Sequence, residues 1–507
     1  MTKLAVVGAG VGGLSAAIYL QAAGYQVDLF EKNSYIGGKM GRIDTGKYRF
    51  DVGPTIVMMP EIYRQVFSDS GVNPDNYFQM SRLNPFMDVY LAGKKDRPLS
   101  SDLVDITKTY EGVSSQDMAG FLTYLSDIYQ RYDLAKEHFI ARSFRSPWNF
   151  WNPKTLLQAF RLKTFSSSYQ SLKKYLESED LIKLLAFQTL YIGISPFNGP
   201  SIYNIIPMIE LLYGVWYIQG GMYSYAQALE RRFKELGGQI HLNTAIESVT
   251  FTNKNADGIM IAGVKHDYDV VVMNADFPYA MNHLIPDQAG VKPRRYQIEK
   301  INQMDYAISC MVIYLGLDRQ YDHLNVHNLR MAEDFFKNID ELEKGILPDD
   351  PSFYAYYPSK VDGSMAPDGH SSLYILAPVP NLKDFDGWNE QQTKDFSQKV
   401  FSRLASELDL PDLLNHIDYQ QIYTPDDFKS EFNSAYGATF GLKPTLLQSN
   451  YFRPHNKYPY AQKLYFAGAS AHPGAGVPIV LTSGELAAKE VMRDLPLPAG
   501  KSRSLSE

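Results

Sequence analysis

The stretch "KLAVVGAGVGGLSAAIYLQAAGYQVDLFEK", residues 3–32, decides the fold. Residues 4–7 are a short apolar run, the pattern of a buried parallel strand. Gly8, Gly10 and Gly13 then fit G-x-G-x-x-G, with Gly12 inside the pattern. Residues 14–23 are rich in Ala and Leu and lack proline, which predicts a helix, and Gly24 ends it. Residues 27–30 read as a second strand, with Glu31 at its end. Each part has a physical use. Gly8 permits a tight turn, Gly10 lets backbone approach a pyrophosphate, and Gly13 lets helix pack on strand. The free N–H groups at the helix start carry about half a positive charge toward the phosphates. Glu31 stands where a carboxylate bonds a ribose hydroxyl, which disfavours a 2′-phosphate and argues against NADP. A signal peptide does not fit, because glycines interrupt the apolar core and the chain runs straight into another strand.

Strand, turn, helix, strand and acid in this order indicate a bound dinucleotide; the rest of the chain indicates which. At 507 residues it can hold two or three domains. A net charge of −7 gives no global reason to expect nucleic acid. The one cysteine, Cys310, excludes an intrachain disulfide framework and a redox-active cysteine pair, and fits a reducing cytosol. No uninterrupted apolar run is long enough to span a bilayer.

Four features favour FAD over NAD. Gly37 and Gly38, with Lys39 and Arg42, offer backbone and cations to a second phosphate region. "FDVGPTIVMMP" (50–60) supplies an aspartate, a glycine and a turn. "GGQIHLNTAIESVTF" (237–251) and "IMIAGVKHDYDVVVMNAD" (259–276) read as strands and a hairpin, with 270–273 returning to the sheet. Near the C-terminus, "KLYFAGASAHPGAGVPIVLTSGELAAKEVM" (463–492) predicts a strand over 464–467, a glycine turn, and a helix from about Pro478 to Met492.

These separated pieces resemble the flavin-dependent amine oxidase and phytoene desaturase superfamily. The strings "GPTIVMMPEIY" (53–63), "SPFNGPSIY" (195–203), "GVWYIQGGMYSYAQAL" (214–229), "NADFP" (274–278) and "GASAHPGAGVPIVLTSG" (468–484) resemble bacterial carotenoid (phytoene-type) desaturases over nearly the full chain. "PTIVMMP" and "HPGAGVPIVLTS" are most similar to the branch acting on 4,4′-diapophytoene. The resemblance implies an α/β fold, a Rossmann-like FAD-binding domain with an inserted α+β substrate domain. It implies non-covalent FAD and hydride transfer from an allylic carbon of a linear polyprenyl hydrocarbon to the flavin ring. The expected conversion is 4,4′-diapophytoene to 4,4′-diaponeurosporene. A terminal-methyl oxidase, a flavin-dependent isomerase, an amine oxidase and a non-catalytic lipid-carrying flavoprotein are the alternatives. The cofactor is expected to meet Gly8, Gly10, Gly12, Gly13, Glu31, Lys32, Gly38, Lys39, Gly53, Pro54, Thr55, Ile246, Asn274, Gly468, Ala469, Gly476 and Val477. The FAD domain is expected to comprise residues 1–72, 205–282 and 455–507. Residues 73–204 and 283–454 should form the substrate domain, with the first insertion mostly helical. The tail from 496 is expected to be disordered.

The motifs that are missing also bear on the chemistry. No second strand–G-x-G-x-x-G–helix unit occurs, so electrons are expected to enter from the substrate and leave to oxygen or a quinone. No metal-binding histidine pattern and no G-x-S-x-G turn occurs. Cys310 lies in an apolar strand-like run and reads as a core residue. His472, inside the C-terminal glycine turn, is the weak catalytic candidate, with a structural hydrogen bond as the favoured role. No other acid or base stands out. Hydride loss from an allylic carbon leaves a cation that sheds its neighbouring proton readily, so placement can dominate the chemistry.

A hydrocarbon substrate lives in lipid. Residues 138–176 contain no Asp or Glu. They carry Arg142, Arg145, Lys154, Arg161, Lys163, Lys173 and Lys174, interleaved with Phe144, Trp148, Phe150, Trp151, Phe160, Phe165 and Tyr169. In an acidic chain this local reversal predicts a segment on an anionic membrane surface, with the protein peripheral on the cytoplasmic face.

Overall fold

In the computed structural model, which describes residues 2–91, 94–162, 164–287, 290–385 and 387–497, Lys3–Val7 is the central strand of a parallel sheet. The sheet has five strands in the order Leu464–Phe466, Val270–Met273, Lys3–Val7, Gln26–Phe30, Gln239–His241. Val6 stands beside Val272 on one side and Leu29 on the other. A strand flanked on both edges and covered on both faces needs apolar side chains throughout, which is why residues 4–7 read as a continuous run.

The first helix, Val11–Ala23, is buried on every side except at Gln21. It packs between the helix Met222–Glu235 and the C-terminal helix Val477–Asp494. It begins three residues earlier than the composition predicts, because the glycines at 12 and 13 are held in the helix by tertiary packing rather than by propensity. Residues 248–267 form a separate antiparallel sheet of three strands.

A second, mixed sheet of seven strands runs in the order Ile417–Tyr423, Ser309–Leu317, Ser371–Val379, Phe353–Tyr356, His327–Arg330, Met87–Leu91, Lys94–Leu99. Its second strand, Ser309–Leu317, is paired on both edges and buried at all nine positions. The segment after residue 72 is therefore less purely helical than its sequence suggests. Met87–Leu91 joins this sheet by parallel pairing of Met87 opposite His327 and Asp88 opposite Asn328. A partner so distant in sequence leaves no local signature.

The basic, aromatic stretch 138–176 divides between core and surface. Pro153–Arg161 and Ser168–Leu172 are separate helices, and Ser167 caps the second by accepting from Gln170 N at 3.2 Å. Phe144, Tyr169 and Leu172 are buried, whereas Trp148 is 78 % and Phe165 79 % exposed. The side chain of Phe160, Lys163 and the tail from 498 lie outside the described residues. Arg145 does not serve as a free surface cation: it pairs with Glu490 and, at 2.8 Å, with Asp494 on the C-terminal helix. Glu490 is 3 % exposed and also accepts from Ser143 Oγ. Removing the partner of a buried charge costs more than the pair itself is worth. Arg145→Leu is expected to lower unfolding stability by about 3 kcal/mol, read from the urea midpoint, and Arg145→Leu/Glu490→Leu to recover most of the loss.

Candidate active site

The turn after Lys3–Val7 is built by close approach. Gly8 has φ +99°, and a Cβ on Gly13 would stand 2.1 Å from the Gly8 carbonyl oxygen. Asn274, just past the neighbouring strand, donates from Nδ2 to Gly8 O at 3.2 Å. The first helix is capped at Gly10 without any side-chain hydrogen bond, and the C-terminal helix likewise at Gly476, where φ is +103°. Both helix starts open on one cavity of about 600 Å³. Two uncapped N-termini concentrate free N–H groups and partial positive charge there.

Every residue expected to meet the cofactor lines this cavity except Gly13, which packs the helix onto the strand. Glu31 is 8 % exposed and accepts from Ala9 N at 2.8 Å and Asn33 N at 3.0 Å. Lys32 donates to Ser430 O at 3.0 Å and Asn433 Oδ1 at 3.2 Å. Lys39 donates to Thr439 O at 2.8 Å; burial lowers its ammonium pKa, and Asp276 works against that. The cavity also reaches Asn33, Thr244, Asp276 and Ser470, which the sequence reading did not single out. Asp276 accepts from Ala435 N at 3.1 Å and from Ser470 Oγ. Its signal was its place three residues past Val270–Met273, at the carboxyl edge of a central parallel strand, where ligands of such sheets sit.

The residues present fit FAD. Glycines stand at the backbone approaches, two helix starts open on the cavity, and Glu31 directly follows the second strand. Cys310 is buried in Ser309–Leu317 as expected, and it also lines the cavity, with Sγ 3.3 Å from Thr439 Oγ1. Burial pushes its thiol up to about 12, so it stays protonated and is no nucleophile for tethering a flavin.

The other walls are apolar. Phe139, Phe187, Ile206, Ile209 and Phe432 line them, together with Tyr354 and Tyr374 from the seven-stranded sheet. Tyr354 bonds Thr55 Oγ1 at 2.8 Å and His327 Nδ1 at 2.6 Å. His472 is not brought to the cavity. It is 1 % exposed, its Nε2 lies 2.9 Å from Arg142 O, and burial lowers its pKa to about 3, leaving it neutral. Its carbonyl accepts from Asn456 and Ser483, so it braces the glycine turn against the 142 loop. Among the described residues no cluster of His, Cys, Asp and Glu is arranged to hold a metal.

A family model described as flavin containing amine oxidoreductase matches residues 11–492. A protein of Staphylococcus haemolyticus named 4,4′-diapophytoene desaturase (4,4′-diaponeurosporene-forming) is 44 % identical over 97 % of this chain and 99 % of its own length. The protein of the same name from Staphylococcus aureus strain Newman is 41 % identical over 97 % and 99 %. Among solved structures, wild-type putrescine oxidase bound to putrescine superposes with a TM-score of 0.65 at 15 % identity, covering 97 % of this chain and 99 % of that one. An oxidoreductase from Methanosarcina mazei gives 0.65 at 17 %, covering 97 % and 100 %. At such identities the solved structures speak for the fold alone. With its glycine turns, paired helix starts and near-complete match, this chain belongs to the flavin-containing amine oxidoreductase family.

Proposed function

We propose that this chain is an FAD-dependent desaturase that converts 4,4′-diapophytoene to 4,4′-diaponeurosporene. The observation that carries the reading is a single cavity with two kinds of wall. Part of the lining is glycine backbone at two helix starts; another part is Phe, Ile and Leu side chains. A dinucleotide fits the first and a hydrocarbon the second. The desaturase names of the two staphylococcal relatives support the substrate.

Bound FAD supplies a ring that takes up two electrons and a hydrogen as hydride. The chain does the rest. Gly8, Gly10 and Gly12 would bring backbone to the pyrophosphate, and Glu31 would bond a ribose hydroxyl. The start of Val477–Asp494 would stabilise negative charge gathering at the ring end. The apolar walls exclude water and hold one allylic C–H bond in place, which is the main demand of the reaction. Electrons would then leave to oxygen or a quinone, a reading supported by the want of a second dinucleotide fingerprint.

The same reading puts the apolar end against an anionic bilayer, on the inner face of the cell membrane. Exposed Trp148, Trp151, Leu157 and Phe165 support it, as do Leu446, Leu447 and Phe452 on a second segment. The Trp151 and Phe452 rings lie 6.3 Å apart, so the two segments form one patch. Leu162, Thr164, Ser449 and Asn450 of these segments line the cavity, which gives a lipid-borne chain a short path inward. Among the described residues no helix is long and apolar enough to cross a membrane, so contact would be interfacial.

Expression beside a 4,4′-diapophytoene synthase is expected to yield coloured product lighter than 4,4′-diapophytoene by successive pairs of hydrogens. Added oxygen would favour a terminal oxidase, and unchanged mass an isomerase. In Gly10→Val the backbone φ of −67° suits valine, and the new Cβ would meet only the end of the Asn274 side chain, with the amide nitrogen 2.8 Å away. Flavin content by absorbance should fall at least about tenfold while cofactor-free thermal unfolding barely moves. Trp148→Ser/Trp151→Ser/Phe165→Ser should lose at least about tenfold in flotation with anionic vesicles, since interfacial binding scales with buried apolar area. Undiminished flotation would remove this patch from the membrane contact.

A further inference from the structure

A second cavity, of about 270 Å³, lies beside the exposed apolar patch, since exposed Leu447 and Phe452 belong to both. Leu442 is buried and lines this cavity as well as the main one. Arg295 is exposed and lines the same space, so a cation stands at its mouth. The guanidinium lies over the Tyr296 ring at 4.4 Å, has the Tyr460 ring at 5.9 Å, and donates to the Tyr296 hydroxyl. It has no carboxylate partner among the described residues, and neither have Lys292 and Arg294 beside it in "KPRR" (292–295). His455 of the same lining is already engaged, with Nε2 donating to Tyr451 O at 2.7 Å.

We propose that this cavity holds the phosphate of one anionic phospholipid, with Arg295 as its principal partner. The inference rests on the membrane reading above and adds to it a site for a single lipid molecule. In a chain of net charge −7, three cations within four residues stand without a carboxylate beside an apolar surface. Such an arrangement suits an anion that carries hydrocarbon. A guanidinium presents a rigid fork of donors that matches phosphate oxygens two at a time, and Tyr296 takes one of those donors. The two tyrosine rings hold the fork in place, so little freedom is lost when an anion arrives. The rest of the lining separates a lipid from a free anion. Inorganic phosphate has no use for Met304, Leu447 and Phe452, whereas the glycerol and first chain carbons of a phospholipid can lie along them toward the bilayer.

The wall between the two cavities is thin. Leu442 lines both, and the buried Arg453 donates to Leu442 O at 3.3 Å, Gln448 O at 3.0 Å and Ala471 O at 3.1 Å. Those bonds tie the lining of the second cavity to the glycine turn of the first. A lipid docked at Arg295 would hold the segment 446–452 against the bilayer, and Ser449 and Asn450 of that segment line the main cavity. Diffuse attraction, worth roughly fivefold per cation near an anionic surface, would hold the protein there without fixing which segment faces the lipid.

The test is flotation of the full FAD-loaded chain with vesicles of phosphatidylcholine alone and of phosphatidylcholine with about one third phosphatidylglycerol. The wild type should bind the mixed vesicles at least about a hundredfold more tightly. Arg295→Gln should lose at least about twentyfold on the mixed vesicles and nothing on phosphatidylcholine, whereas Arg294→Gln, an equal change of charge, should lose no more than about fivefold. Arg295→Lys, which keeps the charge without the fork, should recover only that diffuse share. A short-chain phosphatidylglycerol, below its micelle concentration, should raise the thermal unfolding midpoint of the wild type but not of Arg295→Gln, and inorganic phosphate at the same concentration should not raise it. Equal losses from Arg294→Gln and Arg295→Gln would reduce the site to diffuse attraction and overturn it. So would equal wild-type binding to the two vesicles, which needs no variant to fold, or a midpoint that the lipid leaves unmoved or that phosphate raises as far. Each of these failures leaves wild-type flotation intact; if the wild type floats with neither vesicle, the membrane reading itself fails and the lipid site goes with it.

Discussion

A backbone contact between the two ends of the chain underlies the rest of the structure. The helices Val11–Ala23 and Val477–Asp494 touch where they have almost no side chain: a Cβ on Gly484 would stand 2.4 Å from Gly12 O and 2.8 Å from Ser15 Cβ. Ser15 Oγ donates to Leu481 O at 2.9 Å across the same seam. At this separation neither helix can slide or rotate far, because their backbones meet without cushioning side chains. The contact sets both uncapped helix starts on one cavity, and their partial charges add there instead of dissipating in water. A larger residue at Gly12 or Gly484 would move one helix start away from the other, and the site would lose its shape before losing any contact residue.

The inserted segments use that frame. Arg145 clamps the first insertion to Glu490 and Asp494, on the far portion of the helix whose start faces the cavity. His472 fastens the intervening glycine turn to Arg142 O. The apolar walls are thereby tied to the helix whose start opens on the cavity. This coupling matters for a reaction in which little is asked of side chains except placement and the exclusion of water.

Much of the nucleotide end was legible without coordinates. The fingerprint at residues 8–13, the acid at 31, the glycine turn at 468–476 and the strands near both ends are local patterns. Each arises from a demand on one short piece of backbone, and the structure brings those pieces to one cavity. Asp276 was within reach of the same reasoning, since its string was noticed and its place past a parallel strand has a known meaning. The basic, aromatic stretch was harder. Its composition marks it as unusual, but composition does not say that Phe144 and Tyr169 are core, that Arg145 is spent in an ion pair, or that Trp148 and Phe165 face outward. The companion segment 446–452 has no basic run to advertise it and becomes visible only because its Phe452 lies beside Trp151.

The amino-acid sequence by itself determined that a parallel sheet would hold a dinucleotide, because glycine spacing, helix start and acid are short-range requirements of backbone geometry. It also determined the family, through strings spread along the chain. Only the tertiary structure decided which residues share the cavity, that Met87–Leu91 completes a sheet with strands more than two hundred residues away, and that Glu210 is buried with no hydrogen-bond partner among the described residues. The physical reason is that burial and partnership belong to the space around a side chain. A glutamate on a helix reads the same from its neighbours in sequence whether it faces water or a hydrocarbon, and only packing separates the two.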